Sequence, residues 1–308
     1  MQSPTRRAVI DLGTNTFHLL IADVFASGTI SDVYRERIFV KLASEGISTI
    51  GEASFLRGIT ALCRYREVLN EYGVSDLQAI GTAALRTASN GAAFLQEAKE
   101  KAQIDIKLIS GDKEADYITS GVLLAVPAAT ERVLIMDIGG GSTEFIIADK
   151  DGVYWRRSFP LGVSVLFNEF HFSDPISAAE ISALEAHLET VLKPLKVALK
   201  AFSTHHLVGA AGTFDVLAER LRDPGAPLHP TSHKLDISGF PSLYERIVPA
   251  TLSERLALDD VPVERADMIV MAMILLRFVL RLASIEGITV SNYGMKEGIL
   301  VARPQDAK

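Results

Sequence analysis

The chain has 308 residues, 48% of them hydrophobic and 22% charged, and a formal net charge of −7 at pH 7. This is enough apolar material for one large core or two ordinary ones, and it excludes a disordered chain. The negative balance argues against a nucleic-acid binder, which would normally show a basic face, yet leaves room for a small anionic substrate, because backbone amides and a metal ion can neutralise phosphate locally.

In chain order, the residues predict strands at Ala8–Leu12, Phe17–Val24 and Thr29–Val40, separated by Gly13-Thr14-Asn15 and Ala26-Ser27-Gly28. A helix from Ala53 to Tyr72 follows, ended by Gly73, then a strand at Leu77–Ile80 and a helix at Asn90–Ala102. Ile104–Ile109 reads as a strand that runs through Ser110-Gly111 into a helix at Asp112–Ala125. The pattern then restarts, with strands at Val133–Asp137, Glu144–Ala148 and Val153–Phe159. A helix over Ser177–Phe202 opens with Ser177-x-x-Glu180, a capping-box pattern. Next come a strand at His206–Val208, the segment Gly209-Ala210-Ala211-Gly212-Thr213, a helix, and a loop at Pro224–Pro230. A long apolar helix over Val263–Ala283, a strand at Ile288–Ser291 and a helix from Met295 finish the chain. Strands alternating with helices predict an α/β protein whose sheets begin as antiparallel hairpins.

Cys63, the single cysteine, excludes an internal disulfide and fits a reducing compartment. The N-terminal MQSPTRR leads at once into a strand, so we expect no signal peptide. Met268–Leu276 is followed by Arg277 and Arg281 and reads as a buried helix rather than a membrane span. The expectation is a soluble, cytoplasmic protein without nucleic-acid or membrane partners.

The informative feature is a self-match. Asp11-Leu12-Gly13-Thr14-Asn15-Thr16-Phe17-His18-Leu19-Leu20-Ile21-Ala22-Asp23 aligns without gaps on Asp137-Ile138-Gly139-Gly140-Gly141-Ser142-Thr143-Glu144-Phe145-Ile146-Ile147-Ala148-Asp149, 126 positions later. Two strand–turn–strand units one domain apart predict a duplicated fold with its loops facing each other. In each, an aspartate ends a buried strand and small residues turn the chain. Glycine permits φ > 0 and close approach to a ligand, and successive free N–H groups form an anion-binding concavity. Thr14, Asn15, Thr16, Ser142 and Thr143 add donors, and Asp11 and Asp137 are hard oxygen ligands suited to Mg²⁺. Either loop alone can equally be a structural turn; the pair is what points to phosphate.

Two further segments carry candidates. Arg86, in Gly81-Thr82-Ala83-Ala84-Leu85-Arg86, either clamps a phosphate or forms a surface salt bridge. Glu114 sits in the first turn of a helix, as a general base for water or simply as a helix stabiliser. His18 is an orienting donor or a satisfied buried histidine, and His229 and His233 suggest metal only weakly.

With these residues in hand, the chain resembles the exopolyphosphatase/guanosine pentaphosphate phosphohydrolase (Ppx/GppA) family of the actin-like ATPase and sugar kinase superfamily. The resemblance is carried by Ile10–His18, Gly81–Arg86, Ile109-Ser110-Gly111-x-x-Glu114-Ala115, Met136–Glu144, Pro160-Leu161-Gly162 and Tyr293-Gly294-Met295-Lys296-Glu297-Gly298. It implies two actin-like (ribonuclease H-like) domains, residues 1–125 and 126–308, with an active-site cleft between them and the last helix able to pack back on the first. It implies hydrolysis of a terminal phosphoanhydride of inorganic polyphosphate, or alternatively of guanosine pentaphosphate. Glu114 would be the base, Glu144 would place the water or the metal, and Asp11 and Asp137 would sit at Mg²⁺, with Mn²⁺ as an alternative. Thr14, Asn15, Arg86, Gly140, Gly141 and Ser142 would bind phosphate. A homodimer is the expected assembly.

Three features depart from the family pattern. Lys113 stands where relatives commonly carry a second glutamate, Gly209–Asp215 lacks the usual third glycine pattern, and the sequence matches only the two-domain core of longer members, so that short polyphosphates or another substrate are expected. Other readings are a kinase of the same superfamily, which lacks its sugar-binding aspartate here, and a non-hydrolysing sensor of polyphosphate or guanosine polyphosphate, which would not need both glutamates.

Overall fold

Two sheets form along the chain in the same way, each from a three-strand meander followed by parallel strands. The structure is a computed structural model that describes residues 3–126, 131–210, 212–227 and 229–302. By contacts it groups into two units. Unit 1 comprises residues 1–121, 139–141 and 294–308, and unit 2 comprises residues 122–138 and 142–293.

In unit 1, β1 (Thr5–Leu12), β2 (Thr16–Val24) and β3 (Ile30–Phe39) pair antiparallel. After α1 (Glu52–Glu71), β4 (Asp76–Gly81) adds parallel to β1. After α2 (Ala83–Thr87) and α3 (Gly91–Ala102), β5 (Ile106–Leu108) adds parallel to β4, and α4 (Gly111–Ala125) leads out of the unit. The order is β3-β2-β1-β4-β5. Strand alternation divides the sheet's two faces. Ala8, Ile10, Leu12, Phe17, Leu19 and Ile21 enter one core with Ile59, Leu62, Tyr65 and Leu69 of α1, whose buried positions recur at helical spacing. Val9, Asp11, His18 and Leu20 therefore lie on the opposite face.

Unit 2 repeats the plan. β6 (Val133–Ile138), β7 (Thr143–Asp149) and β8 (Gly152–Phe159) form the meander. α5 (Val163–Phe170), α6 (Ala178–Val191) and α7 (Lys193–Ala201) lead to β9 (His206–Ala210), parallel to β6. Then come α8 (Gly212–Leu221), β10 (Ser232–Leu235), α9 (Phe240–Ile247), α10 (Leu252–Leu256), α11 (Ile269–Leu282) and β11 (Gly287–Ser291). β11 is parallel to β9 and carries β10 antiparallel at the edge, giving the order β10-β11-β9-β6-β7-β8. Both units thus share the ribonuclease H-like order of a meander followed by two parallel strands. The duplication extends to a defect in pairing: β2 and β3 slip register between Ile21 and Ala22, and β7 and β8 slip between Ile147 and Ala148, the same pair 126 positions on.

The last helix, α12 (Met295–Val301), groups with unit 1 and packs on β1, where Arg7 Nη1 donates to the Leu300 carbonyl at 2.9 Å. It crosses α4 with the backbones in contact. A Cβ on Gly121 would fall 2.0 Å from the Gly294 carbonyl oxygen, and one on Gly298 would fall 1.9 Å from that of Tyr117. Glu297 is fully buried there; it accepts from the Gly294 N–H at 2.8 Å and pairs with Arg35 of β3 at 2.9 Å.

The predicted helix over Ser177–Phe202 is two helices, because Pro194 lacks the N–H that a continuing helix needs and instead occupies the first turn of α7. The capping box at Ser177 and Glu180 forms. The long apolar helix begins at Ile269 rather than Val263, after a separate 3-10 turn at Val263–Arg265. α2, α5, α9, α10 and β10 are too short to show a period, and the sequence pattern misses them. No helix among the described residues is long and apolar enough to cross a membrane.

Candidate active site

The first candidate loop, Gly13-Thr14-Asn15, is shaped by β3 and the residues after it. The N–H groups of Val40 and Lys41 both donate to the Asn15 carbonyl at 2.9 Å, and that of Leu42 donates to the Thr14 carbonyl at 2.8 Å. These bonds draw the loop's carbonyls to one side. Lys41 holds a left-handed conformation with φ 50° to make this turn. Asp11, half-buried, ends β1 on the open face, directly opposite His18. Side chains at directly opposed positions share a face, so the two stand side by side.

The glycine tip of the second hairpin, residues 139–141, groups with this loop in unit 1. A Cβ on Gly140 would stand 2.8 Å from Asn15 Cγ and 2.9 Å from Thr14 Cβ. One on Gly141 would stand 2.6 Å from Thr14 Oγ1 and 2.8 Å from Ala83 Cβ. Close approach, then, requires these glycines. The sequence reading invoked positive φ at these loops, and that reason fails: the positive-φ glycines are Gly28, Gly46, Gly73 and Gly152. Thr14 is buried, and its hydroxyl has no hydrogen-bond partner among the described residues.

Arg86 lies on α2, exposed, with Nη1 donating to the Ile109 carbonyl at 2.6 Å. Among the described residues it has no carboxylate partner, so the surface salt bridge weighed from the sequence does not form. One edge of its guanidinium is anchored, and the remaining N–H groups stay available for a planar anion. Ile109 leads directly into Ser110, whose hydroxyl accepts from the Lys113 N–H at 3.2 Å and caps α4. Glu114 follows in the first turn, half-buried. Lys113 lies over the Tyr117 ring, 4.9 Å from its centroid. The helix that carries Glu114 is itself fixed against α12 by the Gly121 and Gly298 contacts.

On unit 2, Asp137 ends β6 and stands opposite Glu144 on β7. Glu144 is only 1% exposed and accepts from the Ser158 hydroxyl at 2.6 Å. Ser142 is buried beside it in sequence, and Thr143 donates to the carbonyl of Leu161, in the Pro160-Leu161-Gly162 motif, at 2.8 Å. Within the Gly209–Asp215 segment, Gly209 and Phe214 belong to the core, since a Cβ on Gly209 would strike the Phe214 ring at 2.1 Å and Phe214 is fully buried, while Asp215 is exposed. Ala211 lies outside the described residues. His229 is engaged through Nδ1 with the Ser232 hydroxyl at 3.1 Å.

Among the described residues no group of three or more His, Cys, Asp or Glu side chains could hold a metal ion. The donor set therefore suits no all-protein cage. It does suit a hard divalent ion that keeps waters and takes substrate oxygens, for which one or two strand-end carboxylates suffice. The sequence patterns did not reveal the β3 clamp or the Glu297 cap; the signals for the α4–α12 crossing were Gly121 and Gly298, each inside a helical stretch.

Comparison with known proteins follows the same line. The family model described as the Ppx/GppA phosphatase family matches residues 20–305. The crystal structure of an exopolyphosphatase from Cytophaga hutchinsonii is 38% identical, with a TM-score of 0.90 over 96% of each chain. The Aquifex aeolicus PPX-GPPA enzyme is 25% identical, with a TM-score of 0.78 over 97% of this chain and 99% of that one. A guanosine-5'-triphosphate,3'-diphosphate pyrophosphatase of Aeromonas hydrophila is 29% identical over 297 residues, 95% of this chain. The chain spans 58% of that relative's length.

Proposed function

The chain belongs to the Ppx/GppA phosphatase family, and from that premise we propose that it hydrolyses the terminal phosphoanhydride of inorganic polyphosphate, releasing orthophosphate. The observation that carries this reading is the near-complete match, 38% identical over 96% of both chains, to a protein described as an exopolyphosphatase. The likeness to the Aeromonas pyrophosphatase supports guanosine pentaphosphate as the second substrate to try.

In this reading the loop amides around Thr14, Asn15, Gly140 and Gly141, with Ser142, hold the phosphates. Arg86 offers its free N–H groups to the phosphate at the scissile bond. Glu114 accepts a proton from the attacking water. The water oxygen forms a bond to the terminal phosphorus, the bridging P–O bond breaks, and the chain leaves one phosphate shorter. Glu144, held by Ser158, orients the water. Asp11 and Asp137 are the residues that would hold Mg²⁺ or Mn²⁺, which when bound neutralises charge on the phosphate oxygens. Positioning and charge neutralisation dominate such loose transition states.

The test is phosphate release with Mg²⁺ from tripolyphosphate, long polyphosphate, guanosine pentaphosphate and ATP, comparing the native protein with Glu114→Gln. Loss of a general base lowers the rate by about 10²–10⁴-fold. Release untouched by the substitution would remove Glu114 as the base. Binding without release from any substrate would make the protein a sensor.

A further inference from the structure

The duplicated sheets carry matching rows of side chains across their meanders, and the rows end differently. In unit 2 the row runs Asp137, Glu144, Ser158, each directly opposite the next. The 2.6 Å bond from the Ser158 hydroxyl to Glu144 Oε1 shows that neighbours in this row touch. In unit 1 the same row runs Asp11, His18, Arg37. Tyr34 and Ile38 of β3 pack against the α1 core, so alternation turns Arg37 to the face of Asp11 and His18.

Arg37 is exposed, and its guanidinium carbon lies 5.1 Å from the centroid of the Phe39 ring on the same face. The ring limits the side chain's freedom and leaves the guanidinium edge, with its fork of donors, uncovered. Neighbouring arginines are neutralised: Arg35 pairs with Asp32 and Glu297, and Arg64 with Glu36. Arg37 has no carboxylate partner among the described residues. Two strand spacings, about 10 Å, separate it from Asp11 across the sheet. An anion placed at Asp11 therefore extends toward Arg37 only if it carries phosphates beyond the reacting one.

We propose that Arg37, braced on Phe39 and aligned with His18 and Asp11, is a substrate-binding residue that grips a non-reacting phosphate and favours anions of three or more phosphates. This rests on the phosphohydrolase reading for its kinetics, though not for its binding. The experiment compares Arg37→Gln, Arg37→Lys and the native protein on pyrophosphate and tripolyphosphate, by phosphate release and by calorimetric titration.

A lost charge-assisted contact raises KM for tripolyphosphate about tenfold in Arg37→Gln, with kcat changed less than about twofold. Arg37→Lys recovers part of the loss, and pyrophosphate is affected less than about twofold because it does not reach the side chain. Unchanged KM and unchanged titration in Arg37→Gln would overturn the proposal, and so would an equal loss for both ligands or a fall confined to kcat. If the native protein hydrolyses neither ligand, the hydrolytic reading fails by itself. The titration then decides: tripolyphosphate binding weakened about tenfold by Arg37→Gln upholds the contact, while no binding or equal binding rejects it.

Discussion

The two hairpins share a backbone and differ where they carry chemistry. Register, strand order and even the slip at Ile21 and Ile147 repeat between them. Yet the first loop has Thr14 and Asn15 where the second has Gly140 and Gly141. The structure shows why these pairs differ. The side chains at Thr14 and Asn15 occupy the space that side chains at Gly140 and Gly141 would need. Duplication supplied two equal loops, and packing them together allows bulk on only one side. The rows beside them diverge too, Asp-His-Arg in one unit and Asp-Glu-Ser in the other.

Restoring bulk on the second loop breaks this complementarity and has the largest expected effect. In Gly141→Ala the new methyl meets Ala83 Cβ, which cannot rotate away, as well as Thr14 Oγ1. Overpacking of this kind costs about 1–3 kcal/mol. It should lower the thermal midpoint and disturb phosphate binding together. Gly28→Ala makes a useful contrast, since it meets no neighbour and suffers only from its φ of 85°. If Gly141→Ala kept native stability and KM, the packing account would be wrong.

The same positions show what could be read from the sequence. The Asp-x-Gly turns and the 126-residue offset were legible, because hairpins leave a local pattern, whereas Glu114 and Arg86 lie outside the hairpins and were given their roles only through the family resemblance. Fold class followed from alternation. What could not be read depends on distant neighbours. Nothing local says that Gly140 is glycine because of Asn15, that Gly298 lies on Tyr117, or that Glu297 is buried against Arg35. The short helices were missed because five to eight residues cannot display a 3.6-residue period.

The units should also differ in their response to mild acidification. His171, His206 and His233 all belong to unit 2, and burial is the first cause holding each below its ordinary pKa of 6.5. Nearby cations add to this: Arg255 at His171, Lys234 at His206, and Arg222 with His229 at His233. The folded state therefore binds fewer protons than the unfolded chain, and the stability these groups leave intact above pH 6.5 is lost as pH falls below it. In unit 1 the Arg6 ion pair holds the Asp23 carboxyl below its ordinary 3.8, so that contribution survives until much lower pH. Hydrogen exchange at pH 7.5 and pH 5.5 should show protection falling first in β9 to β11. Earlier loss in β1 to β3 would contradict this.

The smallest effect is expected at the end of the unit 2 row. Ser158→Ala removes the 2.6 Å donor to the buried Glu144 carboxylate. Glu144 keeps other interactions, so the loss is about that of one hydrogen bond, roughly 1 kcal/mol. If Glu144 orients the attacking water, part of this should appear as a several-fold fall in kcat with KM held, because a carboxylate free to turn loses alignment without losing substrate contacts. Arg37→Gln should act on the opposite parameter, raising KM with kcat held. The two substitutions occupy matched positions on β8 and β3, as each residue pairs with the second member of its row. A kcat effect from Ser158→Ala and a KM effect from Arg37→Gln would show that one duplicated position has been divided between orienting the reaction and holding the substrate. The same parameter moving in both would mean that the position still does one job in each unit.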